Sequence, residues 1–488
     1  MLIFTDHGPD LRDGKRVTMA SGRNLTEGSI LRSIVYLGIP TIATGFLQSA
    51  FNVIDMLFVG RLGPTALAAV SISGVVIALL ITVAIAVSIG TLALVSRYWG
   101  AKHYRSAARV VGQSFYLSIF LSVLFGFGGW YLARPLLSLL GARNEVLELA
   151  VVYFRIISSG AWTIFIFVSF SAGLRGAGDA HTPFRVMALG VTLNIVLDPI
   201  LIFGWLGAPA LGVAGSAVAT VFSRLISMGL IILLVVIKRS PLDLRGVLKT
   251  VQWKVMRRIF RIGFFSSLEM LVRSASMLAL LRIVSPFGTA ALAAYGIGAR
   301  LRAMLLMPGI GLGYASGVLV GQNLGAASPK RARRTAWSSL MIYELMLIPM
   351  IGLLLLFPDE VIGFFNRDPE VLAVGKEFIV YIALSFIFMA VTIILGRSLN
   401  GAGDTAGPMW ITAVCLIFVC IPLAYLGSYR WGWGVGGVWL AILIATILQG
   451  LLIAFRFYRD GWMDLKITAF PEEEMKEKGV ADETVTVD

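Results

Sequence analysis

Apolar residues occur in long unbroken runs, without the alternation of a sheet or the single stripe of a soluble helix. Windows of about 20 residues, the length a helix needs to cross bilayer hydrocarbon, fall near 31–60, 65–96, 107–130, 146–173, 183–204 and 212–237. A second set falls near 257–287, 290–323, 333–357, 371–398, 408–427 and 435–457, while 131–145 and 357–370 read as short interfacial connections. The pattern predicts an all-α polytopic membrane protein with 12 transmembrane helices.

The two sets are copies. Gly63 with Ala66-Leu67-Ala68-Ala69 repeats as Gly288 with Ala291-Leu292-Ala293-Ala294, and Gly100-Ala101 as Gly325-Ala326. Glu145-Val146-Leu147 repeats as Glu370-Val371-Leu372, and Gly176-Ala177-Gly178-Asp179 as Gly401-Ala402-Gly403-Asp404. Each pair is offset by 225 (63 to 288, 100 to 325, 145 to 370, 178 to 403). An even number of spans per copy gives both the same topology, so the copies form two six-helix lobes related by a pseudo-two-fold axis along the membrane normal, enclosing a central cleft. The expected organisation is a tail at 1–30, an N-lobe at 31–238, a basic linker at 239–256, a C-lobe at 257–458 and a second tail at 459–488.

Composition agrees with the windows: the 488 residues are 58% hydrophobic and only 14% charged, too apolar for a soluble domain. The net charge of +14 raises nucleic acid as a partner, but the basic residues sit in alternate loops. Arg97, Lys102, Arg105 and Arg109 follow the second window; Lys238, Arg239, Arg245 and Lys249 follow the sixth; Lys330, Arg331, Arg333 and Arg334 follow the eighth. Ala208-Pro209-Ala210 carries none. This is the positive-inside distribution, which excludes a nucleic-acid reading and puts both termini in the cytoplasm of a cell whose plasma membrane the chain crosses. Residues 1–28 lack the apolar run of a cleaved signal. The acidic stretch from Pro471-Glu472-Glu473-Glu474 onward reads as disordered. Cys415 and Cys420, five apart on a helix, point to different sides, which argues against a disulfide or metal site.

Polar residues inside the windows are the candidates for chemistry. An ionisable group in mid-membrane costs at least about 2.5–3.5 kcal/mol on insertion scales, so it implies a function. Asn194 and Asp198 in Leu193-Asn194-Ile195-Val196-Leu197-Asp198-Pro199 are four apart and share a helix face. Pro199 lacks the N–H that would close on the Ile195 carbonyl, leaving a third oxygen nearby. Asp55 lies about five residues inside Gly60, Asp198 about six inside Gly204 and Thr220 about eight inside Gly212, depths that differ by roughly one turn at a rise of 1.5 Å per residue. Asp55 faces Leu280 in the second copy, and Asn194 and Asp198 face an apolar region around Val419 and Leu423. The acids are private to the first half. Two carboxylates, an amide and a hydroxyl make a hard-oxygen cluster for Na⁺ or protons. With no metal ion bound, two such carboxylates do not both ionise readily, so one takes up a proton. The bland alternative pairs an acid with Arg224.

Pro40, inside the first span, is a candidate hinge. The second half holds other intramembrane charges: Glu269, Arg273, Arg282, Arg300 and Arg302. Glu269 and Arg273 are placed for an i,i+4 ion pair. With Gln48 of the first span, Glu269, Arg273, Arg300 and Arg302 are the candidates for a substrate cleft. The Gly-Ala-Gly-Asp motif, present in both halves, reads as a helix stop followed by a cap.

At these residues the sequence resembles the multidrug and toxic compound extrusion (MATE) family, over about residues 31–458. The motifs are Asp55-Met56-Leu57-Phe58-Val59-Gly60, the two Gly-Ala-Gly-Asp loops, Asn194 to Pro199, Gly212 to Thr220, Met307-Pro308-Gly309 and Val320-Gly321-Gln322. The resemblance implies a V of two lobes and antiport of drugs or toxins against Na⁺ or H⁺. It also implies a cation site at Asp55, Asn194, Asp198 and Thr220. The chain looks closer to the DinF-type and archaeal branch than to NorM-type members, which carry added acids in the seventh and tenth spans: Arg273 stands near the first of those places, and Tyr381 to Leu395 has no acid. The expectation is a monomeric secondary antiporter, not an enzyme, with amphipathic small molecules and membrane lipids as partners and no cofactor beyond the coupling ion. Two rivals are a lipid-linked oligosaccharide flippase of the same superfamily and an intramembrane aspartyl protease, whose Gly-x-Gly-Asp pattern the Gly-Ala-Gly-Asp loops contain.

Overall fold

The structure, a computed structural model, describes residues 25–237, 242 and 250–465. The expected tails, apart from 25–30 and 459–465, and most of the expected linker lie outside these residues. No strand occurs among the described residues. The first lobe is α1 (Ile30–Gly60), α2 (Pro64–Gly100), α3 (Tyr104–Leu139), α4 (Asn144–Ser159), α5 (Ala161–Gly176), α6 (His181–Phe203) and α7 (Val213–Val236). The second is α8 (Trp253–Val284), α9 (Thr289–Gly325), α10 (Pro329–Leu356), α11 (Pro358–Gly363), α12 (Pro369–Ala402), α13 (Ala406–Ala413), α14 (Ile421–Tyr425) and α15 (Gly436–Tyr458). With α4 and α5 counted as one bent span, the described residues contain 12 helices or bent pairs able to cross a membrane.

The duplication is visible at the turns. Gly63 and Gly288 open α2 and α9 at φ of 110° and 96°, a backbone that only glycine adopts without strain. The Gly-Ala-Gly-Asp loops behave as caps: Gly178 and Gly403 take φ of 91° and 94°, Thr182 N–H donates to Asp179 at 2.9 Å, and Gly407 N–H donates to Asp404 at 3.2 Å. Asp404 is held further by Arg456, at 2.6 and 2.9 Å.

Several expectations change. Residues 131–139 continue α3, because Pro135 lies inside the helix without ending it, and 358–363 form the short α11. Helix α8 starts at Trp253, four residues before the expected 257. The fourth span bends by 47° at Gly160, whereas Ser385, 225 residues on, lies within the unbroken α12. Between α13 and α14 the residues Val414–Cys420 form a π-helical segment. Its i→i+5 winding brings residues five apart toward one side. Cys415 and Cys420, expected to diverge, both lie in it as buried free thiols.

The lobes touch chiefly through α1, α2, α8 and α9, with smaller contacts from α3, α5, α10 and α12. Across the joint, a Cβ at Gly100 would strike the Gln322 carbonyl and one at Gly325 the Arg97 carbonyl. The pairs Gly90 with Ile259 and Gly263 with Ala86 are equally close. Small residues that let backbones meet are how helices associate in a membrane. Ser267 adds a hydrogen bond to the Thr82 carbonyl at 3.1 Å, and Gln322 one to the Gly176 carbonyl at 2.8 Å. Toward the other end the same helix faces separate: Val75 and Leu79 on α2 are 56% and 53% exposed, and Met304 on α9 is 62% exposed. The result is a V, closed at the basic end and open at the opposite end.

Candidate functional site

Asp55 sits near the open end of α1, and α6 and α7 pack against the same helix. Asn194, Asp198 and Thr220 are fully or nearly fully buried, as is Asp55 at 7% exposure. Ser216 Oγ donates to Asp55 Oδ1 at 2.6 Å, and Asn194 Nδ2 donates to Asp198 Oδ1 at 3.2 Å. Three further oxygens, Asn194 Oδ1, Asp198 Oδ2 and Thr220 Oγ1, are buried with no hydrogen-bond partner. Buried polar atoms are nearly always paired, because an unpaired one costs the full desolvation penalty of about 1–3 kcal/mol. Two of the three oxygens are on α6 and one is on α7, helices that pack together. Asp55 and Asp198, on the packed helices α1 and α6, lie within electrostatic reach of one another.

Arg224 does not neutralise these acids by a direct ion pair. It lies within electrostatic reach of Asp55 and Tyr153, but its guanidinium stacks over Phe51 at 5.8 Å from the ring centroid, and no carboxylate is in ion-pair range among the described residues.

Sequence reasoning missed Tyr153, Ser216 and Ser223. Tyr153, on α4 two turns before the Gly160 break, is buried and interacts electrostatically with both acids. Ser223, one turn beyond Thr220, is buried with its hydroxyl unpaired. The signal was in the repeat: Tyr153 corresponds to Phe378 at the offset of 225, a loss of one hydroxyl.

The other candidates are not brought together as one cleft. Gln48 donates to Asn52 at 3.3 Å and lines a first-lobe cavity of about 80 Å³ with Arg224, Ser223 and Ser227, away from the second-lobe charges. Glu269 and Arg273 form the expected ion pair at 2.8 Å. Thr412 joins it, donating to Glu269 at 3.3 Å and accepting from Gln449 at 2.7 Å. Arg302 is half-buried and its Nε donates to the Met389 sulfur at 3.2 Å. Arg300 is exposed. Pro40 is buried within α1, which continues as one helix through it.

The comparisons with known proteins fit this geometry. The sequence profile of the MatE family matches residues 40–200 and 266–426, one copy in each lobe. The chain belongs to the MatE family. Its relatives include the "Probable multidrug resistance protein NorM" of Thermotoga maritima, 29% identical over 459 residues that cover 92% of this chain and 96% of that protein. The "FAD transporter" of Shewanella oneidensis is 29% identical over 438 residues, 89% of this chain and 95% of that protein. Among solved structures, an "Outward-facing conformation of a multidrug resistance MATE family transporter of the MOP superfamily" superposes with a TM-score of 0.82 at 25% identity, covering 90% of this chain and 98% of that one. MatE proteins are multi-pass membrane transporters and not enzymes. The protease reading fails on structure as well, since Asp179 and Asp404 cap helices at the basic turns.

Proposed function

We propose that this MatE protein is a secondary antiporter that exports amphipathic organic compounds in exchange for Na⁺ or H⁺. The observation that carries the reading is the trio of unpaired buried oxygens on Asn194, Asp198 and Thr220, joined electrostatically to Asp55. Occupancy of that centre by a cation supplies the missing partners and removes a net negative charge from the first lobe. A ligand shifts a two-state equilibrium only through its different affinity for the two states. The centre packs between α1, α6 and α7, and α1 also packs on α9 of the other lobe, so a change at Asp55 has a mechanical route to the joint. Pro40, between Asp55 and the basic end of α1, is the hinge on that route.

The basic end is assigned to the cytoplasm of the plasma membrane by the positive-inside rule, which makes the described V open outward. In this cycle the cation enters from outside and the closed joint at the basic end opens toward cargo. Monomeric function follows from a cleft made within one chain. The cargo is finer than the family fixes, because proteins with multidrug and FAD names are both 29% identical to this chain.

The test is uptake into proteoliposomes under one imposed gradient at a time. Transport under a Na⁺ gradient at equal pH on both sides identifies Na⁺, and transport under a pH gradient without Na⁺ identifies H⁺. Movement that ignores both gradients ends the antiport reading.

A further inference from the structure

We propose that a deep apolar groove on the bilayer face of the first lobe is a lipid site, in which one anionic phospholipid lays an acyl chain along α3 and sets its phosphate on Arg155. The site is separate from the cation centre and does not depend on antiport.

The groove has a volume of about 740 Å³ and lies between α3, the bent α4–α5 span and α7. Phe115, Ile119, Ser122, Gly126 and Trp130 form one wall, Met228 and Ile232 the other, and Ser158, Ser159 and Trp162 flank the bend at Gly160 between them. Ser122 and Ser159 donate their hydroxyls to the Ile119 and Arg155 carbonyls of their own helices, both at 2.8 Å. The lining thus offers a ligand mostly hydrocarbon.

The groove faces away from the V. Leu117 and Leu121 line a separate cavity against α8, together with Trp253 and Met256. Positions 115, 119, 122, 126 and 130 lie on the opposite side of α3 by the helical period. From Phe115 to Trp130 the groove is about 22 Å long at 1.5 Å per residue, more than the roughly 15 Å that one leaflet contributes to the hydrocarbon core. A chain from one leaflet fits within it.

Its charge lies at one end. Remote from the basic loops, the exposed rings of Trp130 and Tyr131 mark the headgroup level, where such side chains gather. Half-buried Arg155 stands beside Trp130, on the same face of the bent span as the groove residues Ser159, Trp162 and Ile166. Its guanidinium carbon is 5.3 Å from the Trp130 ring centroid, and its Nε donates to the Trp130 carbonyl at 3.3 Å. Both Nη groups are left without a hydrogen bond or ion pair among the described residues, and Glu148, two turns earlier on α4, is held by Arg134 at 2.7 Å. A guanidinium fixed in this way offers paired N–H groups to the oxygens of a phosphate. The fold does not require it, since Val380 and Leu355 stand 225 residues beyond Arg155 and Trp130.

Native mass spectrometry of the full chain in detergent, titrated with phosphatidylglycerol or with phosphatidylcholine of identical chains, tests the site. One phosphatidylglycerol should be held about tenfold more tightly than phosphatidylcholine, the scale of one charge-assisted pair. Arg155→Gln should bring its affinity down to that of phosphatidylcholine, and Arg155→Lys should lose less. Ser159→Trp, at an exposed position whose hydroxyl serves its own helix, fills the groove and should reduce retention of both lipids. Equal affinity of the wild-type chain for the two lipids overturns the site, as does a phosphatidylglycerol affinity unchanged in either Arg155→Gln or Ser159→Trp. Decanoate bound as tightly as phosphatidylglycerol would mark a port for single-chain amphipaths, and overturns it as well.

Discussion

In the first lobe Ser216 bonds Asp55 and Asn194 bonds Asp198, with Tyr153 and Thr220 buried on the neighbouring α4 and α7, and the second lobe repeats these spans without the polar groups. Gly212 and Gly434 mark one turn in both copies, with φ of 57° and 58°. Their offset of 222 shows the second copy to be three residues shorter there (225 less 222). With that register, Ser216, Thr220 and Ser223 face Val438, Ile442 and Ala445, while Asp55 and Tyr153 face Leu280 and Phe378. All five apolar counterparts are buried. Phe378 stacks on Trp439 at 3.8 Å between ring centroids, and Tyr295 lies 6.0 and 6.2 Å from the two rings. The fold is therefore content with hydrocarbon at this position. The polar atoms of the first lobe are therefore not required by the packing, which the proposed cation centre explains.

The strongest way to break the comparison is to neutralise the first lobe. Asp198→Asn or Asp55→Asn should abolish gradient-driven transport while expression and membrane insertion stay normal, since the matching side chains of the second lobe are already uncharged. Proteoliposome uptake decides it, and full activity in both variants would refute the cation centre. Next is the joint. Gly100→Ala puts a methyl group into the Gln322 carbonyl, at about 1–3 kcal/mol for an overpacked contact. It should open the basic end, seen as faster labelling of a cysteine introduced there, and lower the thermal midpoint. Gly45→Ala, which meets nothing within 4 Å, is the control expected to do neither.

Smaller effects sharpen the boundary of the site. Tyr153→Phe makes the first lobe resemble the second at one atom, and should weaken coupling-ion affinity by about tenfold or less, the scale of one hydrogen bond. An unchanged ion dependence would remove Tyr153 from the centre. Thr412→Val, which detaches the hydroxyl shared by Glu269 and Gln449, should cost about 0.5–1.5 kcal/mol in thermal stability and leave the ion dependence alone. A changed ion dependence would mean that the second lobe takes part in coupling.

The spans and the duplication were legible because hydrocarbon imposes length and because glycine turns repeat. Asp55, Asn194 and Asp198 were legible because an acid among apolar residues has few structural excuses. Ser216 and Ser223 were not, since hydroxyls on membrane helices commonly bond their own backbone, as Ser227 does to the Ser223 carbonyl at 2.9 Å. The bend at Gly160 left no mark in an apolar window where a lone glycine is ordinary. The shift of three residues before α15 was hidden because sequence alone did not single out Gly434 as the partner of Gly212. The π-helical turn had no residue signature, and it changes the winding from which Cys415 and Cys420 were expected to diverge, though both remain free thiols.

The glycine joint at the basic end is isologous. Gly100 meets Gln322 and Gly325 meets Arg97, and each of those four positions is 225 residues from its counterpart across the axis. Either half thus carries both surfaces of the contact. A six-helix ancestor pairing with an identical twin would already have possessed this seam, and tandem fusion had only to keep it while the halves drifted apart in chemistry.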